Sequence, residues 1–425
     1  MRPAFVVTTF GFFAVLFEGY DLIVYGAAVP ALLAYKPWSL SAPAIGAIGS
    51  AALLGMVFGA PASGWLADRF GRRKLFIGLL SFFSLAMVFA SIAQTPMQFG
   101  VFRFLSGLGF GGIPPTSVAL VIELSPGNRK ALLNSIMLAG FAVGAIFAGG
   151  LAAALLARVG FRALFAVGAV PLLTVVPLAV CLLPESPHFQ NRFGRKRFRQ
   201  NHSVAQTSIF RGRTGAATTL FSVATFLTFL MVFGLSIWLP VLMHGVGYRL
   251  SSALLFLVLL NVGALVGGIS GSWLADRAGI QEIAIFAFVI CAISMGLLAA
   301  IPTSTSTNIA LVLVIGAALG AAQNVLTSFA ATYYSTACRA SALGLISGIG
   351  RLGAAAGPTL GGMLIGSGAG LIANVAVLSA TSIITAIIVL LVPQPAPCEN
   401  VDNGSNAAPS SDSSQQNLVA SRESR

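Results

Sequence analysis

The chain has 425 residues, of which 57% are apolar and 8% charged, with 47 glycines and a mean hydropathy of +0.92. Roughly a quarter of the residues of a soluble domain are charged, so an ordinary soluble fold is excluded. A soluble protein with its net charge of +13, from 24 Lys and Arg against 11 Asp and Glu, would suit nucleic acid, but here the basic residues sit in short segments between apolar runs, where they orient membrane helices.

The apolar runs, each about 20 residues, recur from Phe5 to Val392. A run of that length crosses a bilayer core as a helix because every backbone polar group is satisfied internally. They predict twelve spans, at about 5–33, 43–66, 75–93, 98–121, 132–155, 161–183, 218–241, 251–274, 282–301, 308–332, 341–365 and 369–392. The first is too long for a cleavable signal peptide and carries acids in its middle, so it reads as a membrane helix. An even number places both termini on one side. If that side is the cytoplasm, the inner segments hold 18 of the 24 basic residues and the outer ones four, Lys36, Arg158, Arg162 and Arg249, with Arg103 and Arg351 inside helices. That bias orients the chain.

The spans divide as an N-terminal six-helix bundle over 1–183, a linker over 184–217 carrying NRFGRKRFRQ, a C-terminal six-helix bundle over 218–392, and a Ser/Asn/Gln/Pro tail over 393–425 that lacks the apolar content to order itself. The halves resemble each other. GWLADRFGRRK at 64–74 aligns with SWLADRAGIQE at 272–282, matching Asp68 to Asp276, and SPGNRKALLNSI at 125–136 aligns with STACRASALGLI at 335–346, matching Arg129 to Arg339. Two parallel six-helix repeats enclose a central cavity in one large class of transporters.

The loop at 64–74, with Asp68, Arg69, Gly71, Arg72, Arg73 and Lys74, resembles the loop 2–3 signature of the major facilitator superfamily, and Arg103-Phe-Leu-Ser-Gly107 resembles its helix 4 motif. FEGYDLIVYG at 17–26, PPTSVALVIELSP at 114–126, PESPHF at 184–189 and SGIGRLGAAAGP at 347–358 resemble the aromatic acid:proton symporters of that superfamily. The resemblance covers residues 5–392. It implies an all-α membrane protein with the major facilitator fold, twelve transmembrane helices in two bundles related by a pseudo-two-fold. It further implies a monomer without cofactor in a bacterial inner membrane, importing an aromatic carboxylic acid with protons by alternating access. This chain departs from the pattern at Glu18, where the family usually carries Asp, and at Gln281, where relatives often carry His.

Charges inside a bilayer cost about 2.5–3.5 kcal/mol each on insertion scales, which makes them functional candidates. Glu18 and Asp21, three apart in the first span, share a helix face. Two close carboxylates in a partly desolvated cavity resist double ionisation, which suits a proton site; the plainer alternative is that one pairs with an arginine to join helices. Arg351, midway along the eleventh span between Gly350 and Gly353, is the candidate for the substrate carboxylate because guanidinium matches carboxylate with two hydrogen bonds. The alternative is a salt bridge across the halves to Glu18 or Asp21.

Arg103, in the outer half of the fourth span, is expected to tune the acids of the first or second span electrostatically or to serve as a structural pair. Glu123, at the inner end of that span and six residues before Arg129, is expected at an inner gate. The family resemblance assigns Asp68, with Arg72 beside it, to an ion-pair network that breaks as that gate opens, with Asp276, Arg129 and Arg339 as its counterparts. Tyr20, Tyr25, Asn134, Trp238, Asn261, Gln323 and Asn324 are polar groups in apolar helices that could shape a pocket for an aromatic acid. Taken singly, each is more often an interhelical packing bond.

Catalysis finds no support: His188, His202 and His244 are far apart, no Ser-His-acid or metal-ligand spacing occurs, the four cysteines show no redox spacing, and no Walker motif is present. Two other classes fit less well. A drug:proton efflux antiporter shares fold and loop signature, but Arg351 argues against a cationic cargo. A sensor on the same scaffold would need a signalling module that the tail does not resemble.

Overall fold

The computed structural model describes residues 2–126, 129–185, 212–300, 304–334, 336–368 and 370–393. Most of the expected linker, the tail, and the side chain of Asp68 lie outside the described residues. The elements are α1 (Arg2–Ala34), α2 (Ala42–Phe70), α3 (Arg72–Ile92), α4 (Pro96–Leu124), α5 (Lys130–Ala166), α6 (Val170–Leu173), α7 (Val175–Leu182), α8 (Gly212–Gly245), α9 (Leu250–Ala278), α10 (Ile280–Ala300), α11 (Thr305–Tyr333), α12 (Thr336–Gly366) and α13 (Gly370–Leu390). All are helices, as membrane burial requires.

Among the described residues, ten stretches are long and apolar enough to cross a bilayer. One of them, Leu132–Leu182, has 51 residues, where a crossing needs about 20. It breaks at Gly160 (φ 73°, ψ 173°), a conformation that favours glycine, and so contains the fifth and sixth predicted spans. α12, with Arg351 at its midpoint, completes twelve. Polar side chains start three of the helices: Ser41, Thr95 and Ser304 accept hydrogen bonds from the backbone N–H groups of Ala44, Gln98 and Thr307. Gly71 (φ 89°) and Gly279 (φ 102°) close α2 and α9, the matching point of the two loop signatures.

Within the N-terminal half α1 packs on α5, and α2 and α3 on α4; within the C-terminal half α8 packs on α12, and α9 and α10 on α11. The second set repeats the first, which is the pseudo-two-fold expressed in pairings. Small residues let these backbones touch, the usual basis of helix association in membranes. A Cβ on Gly107 would lie 1.9 Å from the Ala52 carbonyl oxygen, and one on Gly55 2.2 Å from that of Phe104. Gly107→Ala is therefore expected to force α2 from α4 and destabilise the protein by about 1–3 kcal/mol, read as a lower melting temperature in detergent. Gly150→Ala, whose Cβ meets nothing within 4 Å, is expected to leave it unchanged or raise it.

The halves meet along α2–α12, α5–α9 and α1–α8. We call the end of the bundle that holds Pro3 and Leu390 inner and the opposite end outer. The Ser50 hydroxyl of α2 donates to the Ala355 carbonyl at 2.5 Å and lies 2.7 Å from the Thr359 hydroxyl of α12. A Cβ on Gly46 would be 2.5 Å from the Pro358 carbonyl oxygen, and one on Gly26 2.4 Å from that of Ser236 in α8. Each of these contacts lies in the outer half of its helices, so the outer end is closed in this conformation.

Candidate functional site

Glu18 and Asp21 occupy the middle of α1, a helix drawn against α5 at Gly19, where a Cβ would fall 2.2 Å from the Phe141 carbonyl oxygen. The two acids have different surroundings. Asp21 is sealed, with none of its surface exposed, and forms an ion pair with Nη1 of Arg103 from α4. The guanidinium lies over the rings of Tyr25 and Phe165, with centroids 5.0 and 5.7 Å away, and the Tyr25 hydroxyl donates to the Ile45 carbonyl at 2.6 Å. Asp21 Oδ2 and Arg103 Nε have no hydrogen-bond partner among the described residues. A buried acceptor left so is destabilising by about 1–3 kcal/mol, and the ion pair with Arg103 is what holds Asp21 in place.

Glu18 keeps 5% of its surface exposed. It interacts through the electrostatic field with Asp21 on its own helix and with Arg351 from the other half, and among the described residues it makes no ion pair. Arg351 is half-buried in α12, and its Nη1 donates to the Met56 carbonyl of α2 at 3.1 Å. An acid and a cation from opposite halves thus stand at mid-helix depth within each other's electrostatic field and form no ion pair among the described residues.

At the inner end, Arg72 at the start of α3 forms an ion pair with Glu123 at the end of α4. The Arg73 backbone N–H donates to Glu185 Oε1 at 3.1 Å, and its Nη2 to the Val180 carbonyl at 2.5 Å, tying the loop signature to the end of α7. The matching loop of the second half lacks such pairs among the described residues. Asp276 is exposed there and, among the described residues, makes no ion pair; Arg129, before α5 in the first half, is likewise exposed without one, and its counterpart Arg339, exposed near the start of α12, donates from Nε and Nη2 to the Tyr334 carbonyl. Gln281 Nε2 instead donates to the Val389 carbonyl at 3.0 Å, fastening the loop to α13 without charge.

The candidate pocket residues divide. Trp238 is buried, and its Nε1 donates to the Pro358 carbonyl at 2.8 Å, so with Tyr25 it spends its polar atom inside the protein. Tyr20 does likewise, donating to the Leu164 carbonyl at 2.8 Å. Asn261 donates to Leu257 of its own helix. Gln323 is half-buried, Asn324 is exposed over Gly268, and Asn134 has a buried Oδ1 without a partner among the described residues, so these three keep amide atoms free for a ligand. Sequence reasoning missed Ser50 and Thr359 because a lone hydroxyl in an apolar helix gives no signal. Tyr25 over the Arg103–Asp21 pair was more accessible, since it lies four residues from Asp21 on the same helix face.

The profile of the Major Facilitator Superfamily matches residues 11–358. The benzoate transport protein of Acinetobacter baylyi is 35% identical over 83% of this chain and 81% of its own length. The gentisate transporter of Corynebacterium glutamicum is 32% identical over 89% and 85%, and a 4-hydroxybenzoate transporter of Pseudomonas putida 32% identical over 84% and 85%. Among solved structures, a D-xylose–proton symporter superposes with a TM-score of 0.76 at 20% identity, covering 92% of this chain and 98% of the other. The inward-open xylose transporter of E. coli gives 0.76 at 17%, covering 93% and 98%, a likeness of fold. With its loop signature, repeated pairings and twelve crossings, the chain belongs to the major facilitator superfamily, in the branch that holds these aromatic-acid transporters.

Proposed function

We propose that this protein is a proton-coupled importer of an aromatic carboxylic acid of the benzoate and 4-hydroxybenzoate type, working as a monomer by alternating access in a bacterial inner membrane with both termini in the cytoplasm. The observation that carries this reading is an arginine and an acid, Arg351 and Glu18, at mid-helix depth in opposite halves and within each other's electrostatic field. Arg351 supplies the cation for a carboxylate, and one aimed at an anionic cargo disfavours efflux of cationic drugs. The cargo names borne by relatives above 30% identity give the chemical class. The 18 to 4 distribution of basic residues supports the orientation.

In this scheme Glu18, which makes no ion pair among the described residues, exchanges the proton, while the sealed Asp21–Arg103 pair holds α1 and α4 together and fixes where Glu18 stands. A proton on Glu18 frees Arg351 from its attraction and lets it bind the cargo carboxylate. The cavity then carries no unpaired charge across the bilayer, which lowers the barrier to closing one end and opening the other. The Arg72–Glu123 pair, with Asp68, releases and reforms at the inner end as the halves rock. One proton with one monoanion moves no net charge, so the pH gradient drives accumulation.

Uptake of radiolabelled benzoate and 4-hydroxybenzoate into proteoliposomes under an imposed pH gradient tests the reading. Accumulation that an uncoupler abolishes is expected. Glu18→Gln is expected to lose concentrative uptake and keep exchange of internal for external cargo. Undiminished pH-driven accumulation in Glu18→Gln would remove Glu18 from coupling, and absence of uptake by folded wild-type protein would overturn the cargo class.

A further inference from the structure

None of the 11 acidic residues lies in an outer segment: two are in α1, five (Asp68, Glu123, Glu185, Asp276 and Glu282) are at or beside inner helix ends, and four are beyond residue 393. The outer segments carry only the cations Lys36, Arg158, Arg162 and Arg249. A surface with one sign of charge raises the local concentration of the opposite ion. Three of these cations belong to neighbouring connections, since Lys36 follows Tyr35 between α1 and α2, while Arg158 and Arg162 flank the break at Gly160.

Arg162 has unusual company. Its guanidinium is half-buried and lies over the rings of Tyr35, Trp38 and Phe161, with centroids 5.8, 5.8 and 5.9 Å away. Among the described residues it makes neither ion pair nor hydrogen bond. Cation–π contacts hold the group in place but leave its five N–H donors without an acceptor. The rings are not a lipid-facing belt, because Trp38 is only 8% exposed and its Nε1 donates to the Gln94 carbonyl at 2.8 Å. The same packing runs inward, with Trp38 5.5 Å from Phe99 and Phe99 5.0 Å from Phe165, which lies against Arg103.

We propose that Arg162, walled by Tyr35 and Trp38 and rimmed by Lys36 and Arg158, is an outer docking site for aryl carboxylates, separate from the central site at Arg351. The carboxylate meets the unpaired guanidinium and the two flanking cations, and the aryl ring packs on the aromatic wall. A site of this kind collects dilute anionic cargo at the outer face before the outer end opens. The cargo class rests on the functional reading above; the binding itself does not require transport.

The test titrates benzoate, and separately its neutral isostere benzamide, into the full-length protein in nanodiscs, following the fluorescence change that is lost in Trp38→Phe. A saturable benzoate signal, absent with benzamide and weakening as salt is raised, is expected. Arg162→Gln is expected to weaken it about tenfold or more, as loss of a charged hydrogen-bonding partner does, with Arg162→Lys recovering part. Arg351→Gln is expected to keep it. A signal untouched in Arg162→Gln and Arg162→Lys, lost in Arg351→Gln, or equal for benzamide overturns the outer site. A signal that behaves as expected in a protein that accumulates no aryl acid upholds the site and overturns the functional reading instead.

Discussion

Arg103→Gln is expected to destabilise the protein more than any other single substitution in the membrane interior. Asp21 has no exposed surface and Arg103 only 1%, so the pair cannot recruit water when one member is removed. Removing the cation leaves a buried carboxylate without a counter-charge, a change of about 3–5 kcal/mol. The same substitution removes the guanidinium from the rings of Tyr25 and Phe165, where it also fills space. Asp21→Asn should cost less, because an amide can still accept from Arg103, and the double variant Asp21→Asn with Arg103→Gln should recover much of the loss. Denaturant or thermal unfolding in detergent micelles, read as a double-mutant cycle, checks this. A coupling energy near zero would show that the two side chains do not depend on each other.

Gly46→Trp is expected to hold the outer end open. A single Cβ at this position would already lie 2.5 Å from the Pro358 carbonyl oxygen, and an indole cannot be accommodated while α2 and α12 keep their present approach. A clash that disfavours the closed outer end by only about 3 kcal/mol lowers its population about a hundredfold. Net uptake should fall in proportion, since the halves must close outside to release cargo inside. The accompanying signature is geometric. In a background with the four cysteines replaced, Thr359→Cys should react faster with a membrane-impermeant maleimide added outside once Gly46→Trp is present. Unchanged labelling together with retained uptake would show that this contact is not part of the outer closure.

The number and order of crossings were legible because bilayer thickness imposes a length on every span, and each apolar run satisfies its backbone locally. The two matched loop signatures exposed the repeat, and Gly71 and Gly279 take positive φ at their matching points. The 51-residue stretch from Leu132 to Leu182 counted as two spans because no single helix of that length fits a bilayer. The membrane acids and arginines stood out for the same reason, since each one must be compensated by something.

Which charge compensates which was another matter. From sequence, Arg351 could pair with either acid and Arg103 with acids of the first or second span, because spacing along a helix sets the face of a side chain but not the neighbour across from it. Those partners follow from interhelical distances of a few ångströms, set where Gly107 meets Ala52 and Gly19 meets Phe141, and such contacts join residues far apart in the chain. Partners then divided two chemically similar acids, pairing Asp21 with Arg103 and leaving Glu18 without an ion pair among the described residues, within the field of Arg351. By itself the sequence determined a twelve-span carrier with its charges at the right depth, because hydropathy and charge act locally. Only the tertiary structure decided that Asp21 belongs to Arg103, that Ser50 and Thr359 help close the outer end, and that Arg162 stands unpaired among aromatic rings, because these depend on how separate helices approach one another.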